Sequence, residues 1–159
     1  MITQRDFMQH NFLLKQKIGL RLSRTGLLSK ILAIQAFTRE TLEITPEQFN
    51  VLNTLKENNG IYLRQLASIT LKDRPNITRI VSILEKKGFL TSAKDKEKRM
   101  VKKLYITKKG IEMCNIAIPT ILKAWNEIVS ELQDEEIKNF LITLEKIETK
   151  LLDRVVMQN

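Results

Sequence analysis

Apolar residues recur at helical spacing along most of the chain, and this pattern predicts six helices. The first is expected at residues 11–42, with an apolar stripe broader than a lone surface helix needs. Thr45 suits a helix N-cap, Pro46 the first helical position and Gln48 a capping box, so the second helix should begin there. The other helices are predicted at about residues 61–69, 75–87, 108–132 and 134–156.

The third and fourth predicted helices are joined by a turn of about four residues, as in a helix-turn-helix unit. The buried face of the fourth helix is well defined, because its apolar residues follow the spacing i, i+3, i+4 and i+7. These residues are Ile77, Ile80, Val81 and Leu84. Gly88 has the residue type of a helix C-cap and predicts where the fourth helix ends.

Two short β-prone segments, FLTSA and VKKLYIT, flank the most basic part of the chain. They predict a hairpin with residues 94–99 at its tip, which needs helices to pack against because a lone hairpin is marginal. Thr107 then caps the fifth helix, within which Pro119 predicts a kink or a break. The expected fold class is mainly α with a small β-hairpin, in a single domain over residues 1–159.

The charge of the chain is concentrated in one region. Residues 61–110 contain 14 Lys or Arg and 4 Asp or Glu, a net charge of +10, while the other 109 residues carry 13 basic and 14 acidic groups, a net charge of −1. Such a block favours a polyanionic partner, with nucleic acid first and an anionic membrane surface second. A solvated surface with no partner is the alternative.

Other function classes have little support in the sequence. One His and one Cys do not supply a usual transition-metal site, so neither a metal nor another cofactor is expected. Asp134, Glu135 and Glu136 suit a helix N-terminus better than acid–base catalysis, and without a Gly-rich phosphate loop no enzyme is expected. With no long apolar run and no secretory signal, the chain is expected in the cytoplasm, without a membrane partner.

The order of the elements and three local strings resemble the MarR family of bacterial winged helix-turn-helix transcription regulators. The strings are ITPEQFNVLNTL, NITRIVSILEKKGFL and LYITKKG, which follow one another at the family's separations. The resemblance covers nearly the whole chain. It implies a winged helix-turn-helix lobe at about residues 45–109, whose wing is the hairpin, and N- and C-terminal dimerisation helices at about residues 1–42 and 108–159.

The resemblance also implies a function. Family members act as homodimers on pseudo-palindromic double-stranded DNA, and many release it when a small aromatic or lipophilic effector, or an oxidant, reaches them. A ligand-responsive repressor is therefore expected. Cys114 does not lie where some relatives carry a reactive cysteine, and its position is typical of a small core residue. Phe37, Met113 and Trp125 would suit the border of an effector cavity, but their helical spacing favours the core.

The fourth predicted helix supplies most of the candidate DNA contacts, because an α-helix fits the major groove. Arg79 has the reach for guanine, Asn76 suits adenine, and Thr78 suits a phosphate or a thymine methyl group. Two further polar residues of the outer face are Ser82 and Lys86. Arg64 and Arg74 are expected to hold phosphates, which positions the protein without reading sequence.

The hairpin tip supplies the second group of candidate DNA contacts, which are Lys94, Lys96, Lys98 and Arg99. Lys102 and Lys103 are adjacent on a strand, so at most one of them is expected to face DNA. The family's wing-tip Asp-x-Arg would fall on Lys98 and Met100, whereas an acid-x-Arg spacing occurs one residue earlier and ends at Arg99. Either the wing is one residue longer and Arg99 enters the minor groove, which we favour, or lysines alone make the contact.

Two other hypotheses assign the basic region a different partner. A winged-helix module could dock an acidic protein. Binding to random duplex that weakens steeply with salt would separate a DNA-binding protein from such a module. A peripheral membrane binder is less favoured, because the hairpin tip has no aromatic residue or leucine to insert into a bilayer.

Overall fold

The computed structural model describes residues 4–95 and 102–155, with side chains from residue 14 onward. Over these residues the chain forms six helices and one three-stranded antiparallel sheet. The elements are α1 (Gln4–Arg39), α2 (Pro46–Glu57), β1 (Ile61–Tyr62), α3 (Leu63–Ile69), α4 (Arg74–Lys86), β2 (Leu90–Lys94), β3 (Lys102–Ile106), α5 (Lys108–Val129) and α6 (Asp134–Leu152). The mainly α fold class with a hairpin is confirmed, and we call residues 46–106 the winged-helix lobe.

The predicted start of α2 is confirmed in detail. The Thr45 hydroxyl oxygen accepts the backbone N–H of Gln48, and the Gln48 side-chain oxygen accepts the backbone N–H of Thr45, each at 3.2 Å. Thr107 caps α5 in a similar way, since its hydroxyl oxygen accepts the N–H of Gly110 at 3.1 Å. The capping residues therefore fix where both helices begin.

The sheet corrects the sequence analysis at one point. The prediction that residues 61–69 form one helix was wrong, because Ile61 and Tyr62 form β1 and α3 begins only at Leu63. In the sheet order β1-β3-β2, β3 lies in the middle, and Tyr62 is paired with Lys103. Two residues are too few to show a strand periodicity, so only the neighbouring β3 identifies them as a strand.

The core lies between α2, α3, α4, the sheet and the facing parts of α1 and α5. Its largest fully buried side chains include Phe89, Leu52, Leu55, Leu66, Ile77 and Leu84. From α1, Phe37 packs edge-to-face on Phe49 of α2, with ring centroids 5.9 Å apart. Cys114 and Ala117 of α5 are completely buried. The lobe is thus held between the end of α1 and the first half of α5.

The start of α5 comes very close to the start of β2. A Cβ atom on Gly110 would lie 2.1 Å from the carbonyl oxygen of Phe89 and 2.7 Å from Cγ1 of Ile106, so only glycine fits there. Further along, α5 continues past Pro119 to Val129. The sequence predicted a kink or a break at this proline, and the break does not occur, because α5 is one helix from Lys108 to Val129.

The other helix boundaries differ modestly from the predicted ones. α1 begins at Gln4 rather than residue 11, α5 ends at Val129 rather than residue 132, and α6 ends at Leu152 rather than residue 156. Among the described residues, none of the helices combines the length and the apolar character that crossing a bilayer requires.

α6 and much of α1 leave large apolar side chains exposed. No residue of α6 is buried, and Phe140 and Leu141 are each 57% exposed. On α1, the exposed apolar residues are Leu14, Ile18, Leu20, Leu27, Leu28, Ile31 and Ile34. These helices therefore carry the broad apolar stripe that the sequence shows, without a covering layer from their own chain.

Candidate nucleic-acid interface

The helix α4 is fixed to the core along one face and exposed along the other. Ile77, Ile80 and Leu84 are at most 1% exposed, which confirms the buried face predicted from their spacing. Asn76 is half-buried. The other predicted contacts of this helix are all exposed, namely Arg74, Thr78, Arg79, Ser82 and Lys86. Since its anchoring residues lie deep in the core, α4 presents its polar face as a rigid unit.

Hydrogen bonds orient the polar groups in the first turns of α4. The Asp73 carboxylate caps the helix by accepting the N–H of Asn76 at 2.7 Å. An Arg79 guanidinium nitrogen donates to the Asn76 side-chain oxygen at 3.2 Å, and the Thr78 hydroxyl donates to the Arg74 carbonyl at 2.7 Å. Arg79 and Asn76 therefore form a pair, and the Thr78 hydroxyl oxygen and methyl group remain for external contacts.

The turn that leads into α4 contains an unusual backbone conformation. Leu71 has φ = 52°, in the left-handed region that glycine usually occupies after a helix. The N–H groups of Leu71 and Lys72 donate to the carbonyls of Ser68 and Ala67 at 3.3 and 3.0 Å, which closes α3. On α3, Arg64 is exposed as predicted. A leucine gave no sequence signal for this tight turn.

A carboxylate that the sequence analysis missed lies beside the basic residues of α4. Glu47 Oε1 is 2.9 Å from Nζ of Lys30 in α1 and 4.0 Å from Nζ of Lys72 in the turn. The hydrogen bond from Lys30, together with the charges of Lys72 and Arg79, lowers the pKa of Glu47. The Glu47 carboxylate therefore interacts with cationic side chains from three elements: Lys30 of α1, Lys72 of the turn before α4, and Arg79 of α4.

The hairpin strands show which of their lysines face solvent. Lys94 is the last residue of β2, so its predicted place in the tip is wrong, and it pairs across the hairpin with Lys102. Both are exposed, whereas Nζ of Lys103 lies 3.8 Å from Oδ2 of Asp95. Lys102 and Lys103 therefore point to opposite faces of β3, as expected, with Lys102 toward solvent and Lys103 toward Asp95. The predicted tip contacts Lys96, Lys98 and Arg99 lie outside the described residues.

Some basic residues of the region bind within the protein itself. Nζ of Lys87 donates to the backbone carbonyl of Glu43. Nζ of Lys109 donates to the carbonyl of Lys87 at 3.1 Å and lies 4.5 Å from the ring centroid of Phe89. The basic region is therefore divided between residues that hold the fold together and exposed residues on α4 and the hairpin.

An open groove of about 780 Å³ lies between the end of α1, the start of α2 and α4. Its lining includes apolar Phe37 and Ile80 and the cationic residues Lys30 and Arg79. Phe37 is also a core residue, while Met113 and Trp125 are half-buried on α5.

Cys114 is completely buried, and this burial raises the pKa of its thiol, which confirms the prediction of a core residue. Among the described residues, no group of His, Cys, Asp or Glu could hold a metal ion.

Known proteins share both the sequence pattern and the fold. Residues 44–105 match the family model of the MarR family. An uncharacterized HTH-type transcriptional regulator of Bacillus subtilis is 31% identical over 90 residues, which cover 56% of this chain and 60% of that protein. The similarity therefore spans less than two thirds of that relative.

Two solved structures show the same fold at low sequence identity. A mutant of MarR from E. coli, complexed with operator DNA, has a TM-score of 0.75 at 19% identity, covering 82% of this chain and 93% of that chain. Bordetella bronchiseptica BpsR, whose DNA binding is regulated by 6-hydroxynicotinic acid, has a TM-score of 0.74 at 18% identity, covering 83% and 98%. The resemblance identified from the sequence is confirmed.

Proposed function

From its MarR-family resemblance, we propose that this protein is a sequence-specific transcription regulator that binds double-stranded DNA as a homodimer. It acts as a ligand-responsive repressor on a pseudo-palindromic operator. The observation that carries the proposal is the geometry of α4, whose apolar face is locked in the core while Arg74, Thr78, Arg79, Ser82 and Lys86 are exposed.

The two basic elements have different roles in this proposal. α4 lies in the major groove, where Arg79 and Asn76 contact base edges together and Thr78 contacts a phosphate or a thymine methyl group. Arg64 and Arg74 bind phosphates. The hairpin contacts the flanking backbone through Lys94 and through the tip residues Lys96, Lys98 and Arg99. Specificity thus depends on α4, and much of the affinity depends on the hairpin.

The homodimer is supported by the uncovered apolar faces of α1 and α6. A second copy of the chain would cover both faces, since an exposed apolar helix face of this extent marks an interaction surface. A two-fold axis through these helices would set the two α4 helices about 34 Å apart, one turn of DNA. Any change in the packing of α1 and α6 would alter this distance and hence the affinity for DNA.

A small aromatic or lipophilic effector is supported by the open groove beside α4 and by the ligand regulation of BpsR. Because the groove is lined by both α1 and α4, its occupant contacts the dimerisation region and the DNA-binding helix at once. Such a ligand changes DNA binding only if it binds one arrangement of the two better than the other. Titration of aromatic acids against DNA affinity tests this, and a bound ligand without effect on affinity would contradict it.

The central experiment is selection of duplex DNA from a random pool, followed by binding measurements on the selected operator and on random duplex. Arg79→Ala should relax base preference at one position in each half-site. Lys96→Ala should weaken all sequences equally and lower the salt slope by about 1. A protein that ignores duplex DNA at low salt, or binds it without salt dependence, would refute the proposal and favour an acidic protein partner.

A further inference from the structure

One buried carboxylate lies at the end of the hairpin, beside its exposed lysines. Asp95 follows β2 directly and is 8% exposed, which makes it the only buried charged residue in the described part of the chain. Burying a carboxylate is unfavourable unless other groups compensate its charge, and apolar packing would serve stability as well or better. The burial of Asp95 is therefore weak evidence for a stabilising role, and its partners show which elements it connects.

Two side chains from neighbouring strands surround this carboxylate. The hydroxyl of Tyr62 in β1 donates a hydrogen bond to Asp95 Oδ2. Nζ of Lys103 in β3 lies 3.8 Å from the same oxygen and 5.4 Å from the ring centroid of Tyr62. We call these three residues the strand-end cluster.

The strand-end cluster connects all three strands at the end of the hairpin. Because β3 lies between β1 and β2, the Tyr62 side chain reaches past β3 to the residue that follows β2. Tyr62 is also the N-cap residue of α3, and its backbone N–H donates to the Gln65 side-chain oxygen at 2.9 Å. The cluster therefore couples the hairpin end to the helix-turn-helix unit and limits how the hairpin tilts against it.

We infer that Tyr62, Asp95 and Lys103 are positioning residues for DNA binding, which hold the exposed hairpin lysines Lys94 and Lys102 against the phosphate backbone. This inference rests on the proposed function. The cluster also withdraws Lys103 from the DNA, since its ammonium group is turned toward Asp95. Of the two adjacent lysines on β3, Lys102 is therefore the one that contacts a phosphate.

The decisive variant is Tyr62→Phe, which removes one hydroxyl and no charge. We expect the slope of log affinity against log salt on random duplex to fall in magnitude by about 1, the loss of about one phosphate contact, with base preference unchanged. In the Tyr62→Phe background, Lys102→Ala should cost less affinity than in the wild type, because the lysine is already misplaced. A global loss of stability would lower the active fraction without changing the slope.

Tyr105→Phe is the matched control, because it removes the same hydroxyl from the middle of β3, where Tyr105 pairs with Thr91. Its salt slope should equal that of the wild type. The inference is overturned if Tyr62→Phe keeps the wild-type slope, or if the effects of Tyr62→Phe and Lys102→Ala add fully.

Hydrogen exchange of the free protein separates this inference from the proposed function. The backbone amides of Ala93 and Lys103, which pair across β2 and β3 next to Lys94 and Lys102, should exchange faster in Tyr62→Phe and in Asp95→Asn than in the wild type or in Tyr105→Phe. If the wild type does not bind DNA, the proposed function is refuted. The positioning role is then refuted too, even if hydrogen exchange shows that the cluster holds the strands together. If the wild type binds DNA and exchange is unchanged in both variants, only the positioning role fails.

Discussion

The winged-helix lobe and the helix α6 are built from similar proportions of apolar residues, yet they use them in opposite ways. In the lobe, Leu52, Leu55, Leu66, Ile77 and Leu84 are all completely buried by their own chain. In α6 no residue is buried, and Leu141 and Leu152 are 57% and 61% exposed. The apolar residues of the lobe are buried within this chain, with contributions from α1 and α5, whereas the apolar face of α6 has no covering surface among the described residues.

This difference in burial means that the lobe depends on its apolar residues for folding, whereas α6 exposes its apolar residues for association with another surface. Substitutions in the lobe should change the free energy of unfolding, while substitutions on α6 should change association and leave the lobe intact. The segment where α1 leads into α2 joins α1 to the lobe, so substitutions there should change the free energy of unfolding by smaller amounts.

The largest effect is expected for Leu84→Ala, which removes a fully buried side chain of α4. Lost burial and the cavity left behind should lower the free energy of unfolding by about 2–5 kcal/mol. Urea denaturation at fixed protein concentration measures this. Ser82→Ala, at an exposed position of the same helix, should stay within about 0.5 kcal/mol of the wild type. Equal effects of the two would contradict a lobe that is stabilised by its own core.

The next largest effect is expected for Leu141→Glu on α6. A carboxylate in the proposed apolar interface should weaken dimerisation by about 1.5–3 kcal/mol, roughly tenfold to hundredfold in the dissociation constant. Analytical ultracentrifugation over a concentration series measures the dimer, and circular dichroism checks that the helices persist. Thr143→Glu adds the same charge on the opposite face of α6 and should dimerise normally. A monomeric wild type would disprove the proposed interface.

A smaller effect is expected for Thr45→Ala, where α1 leads into the lobe. The substitution removes the hydroxyl that accepts the N–H of Gln48, so it should cost about 1 kcal/mol of stability. Thermal unfolding measures the loss, and Thr45→Ser should recover most of it because serine keeps the capping oxygen. A variant with alanine that is as stable as the wild type would show that the cap contributes nothing here.

The smallest effect is expected for Glu47→Gln, which removes the carboxylate that joins α1 to the lobe. Since the folded state lowers the pKa of Glu47 from its ordinary value of 4.5, its stabilisation is present above that pH and is lost as the pH falls below it. The side chain is 35% exposed, so solvent screening limits the gain to a few tenths of a kcal/mol, roughly the value of a surface ion pair. Urea unfolding at pH 7 and pH 3 should show a wild-type advantage only at pH 7, and an equal difference at both would contradict this account.

Helices with a regular spacing of apolar residues were predictable from the sequence, whereas contacts between residues far apart in the sequence were not. The spacing of Ile77, Ile80 and Leu84 identified the buried face of α4, and the types of Thr45 and Gln48 identified the capping box. β1 was missed because two residues have no period. Strand alternation showed that Lys102 and Lys103 differ in direction, but only the contacts of Lys103 with Asp95 and Tyr62 determine which one turns inward.

The same limit applies to the candidate site. The exposed face of α4 follows from its buried face, so most of the candidate residues on this helix are exposed, as the sequence predicted. Glu47 was missed because Lys30 and Lys72 are far from it in the sequence and meet it only in the fold. The roles of the contacts in reading DNA remain predictions for binding experiments.

The tight contact between Gly110 and the backbone of Phe89 fixes the first turn of α5 against the lobe. The helix continues without interruption from there past Pro119 to Val129, a span of roughly 30 Å at the usual helical rise. A tilt of about 5° at the Gly110 contact would shift the far end by roughly 2–3 Å, by the geometry of a rigid rod of that length. A small rotation of the winged-helix lobe about this contact would therefore become a displacement of several ångströms at the far end of α5.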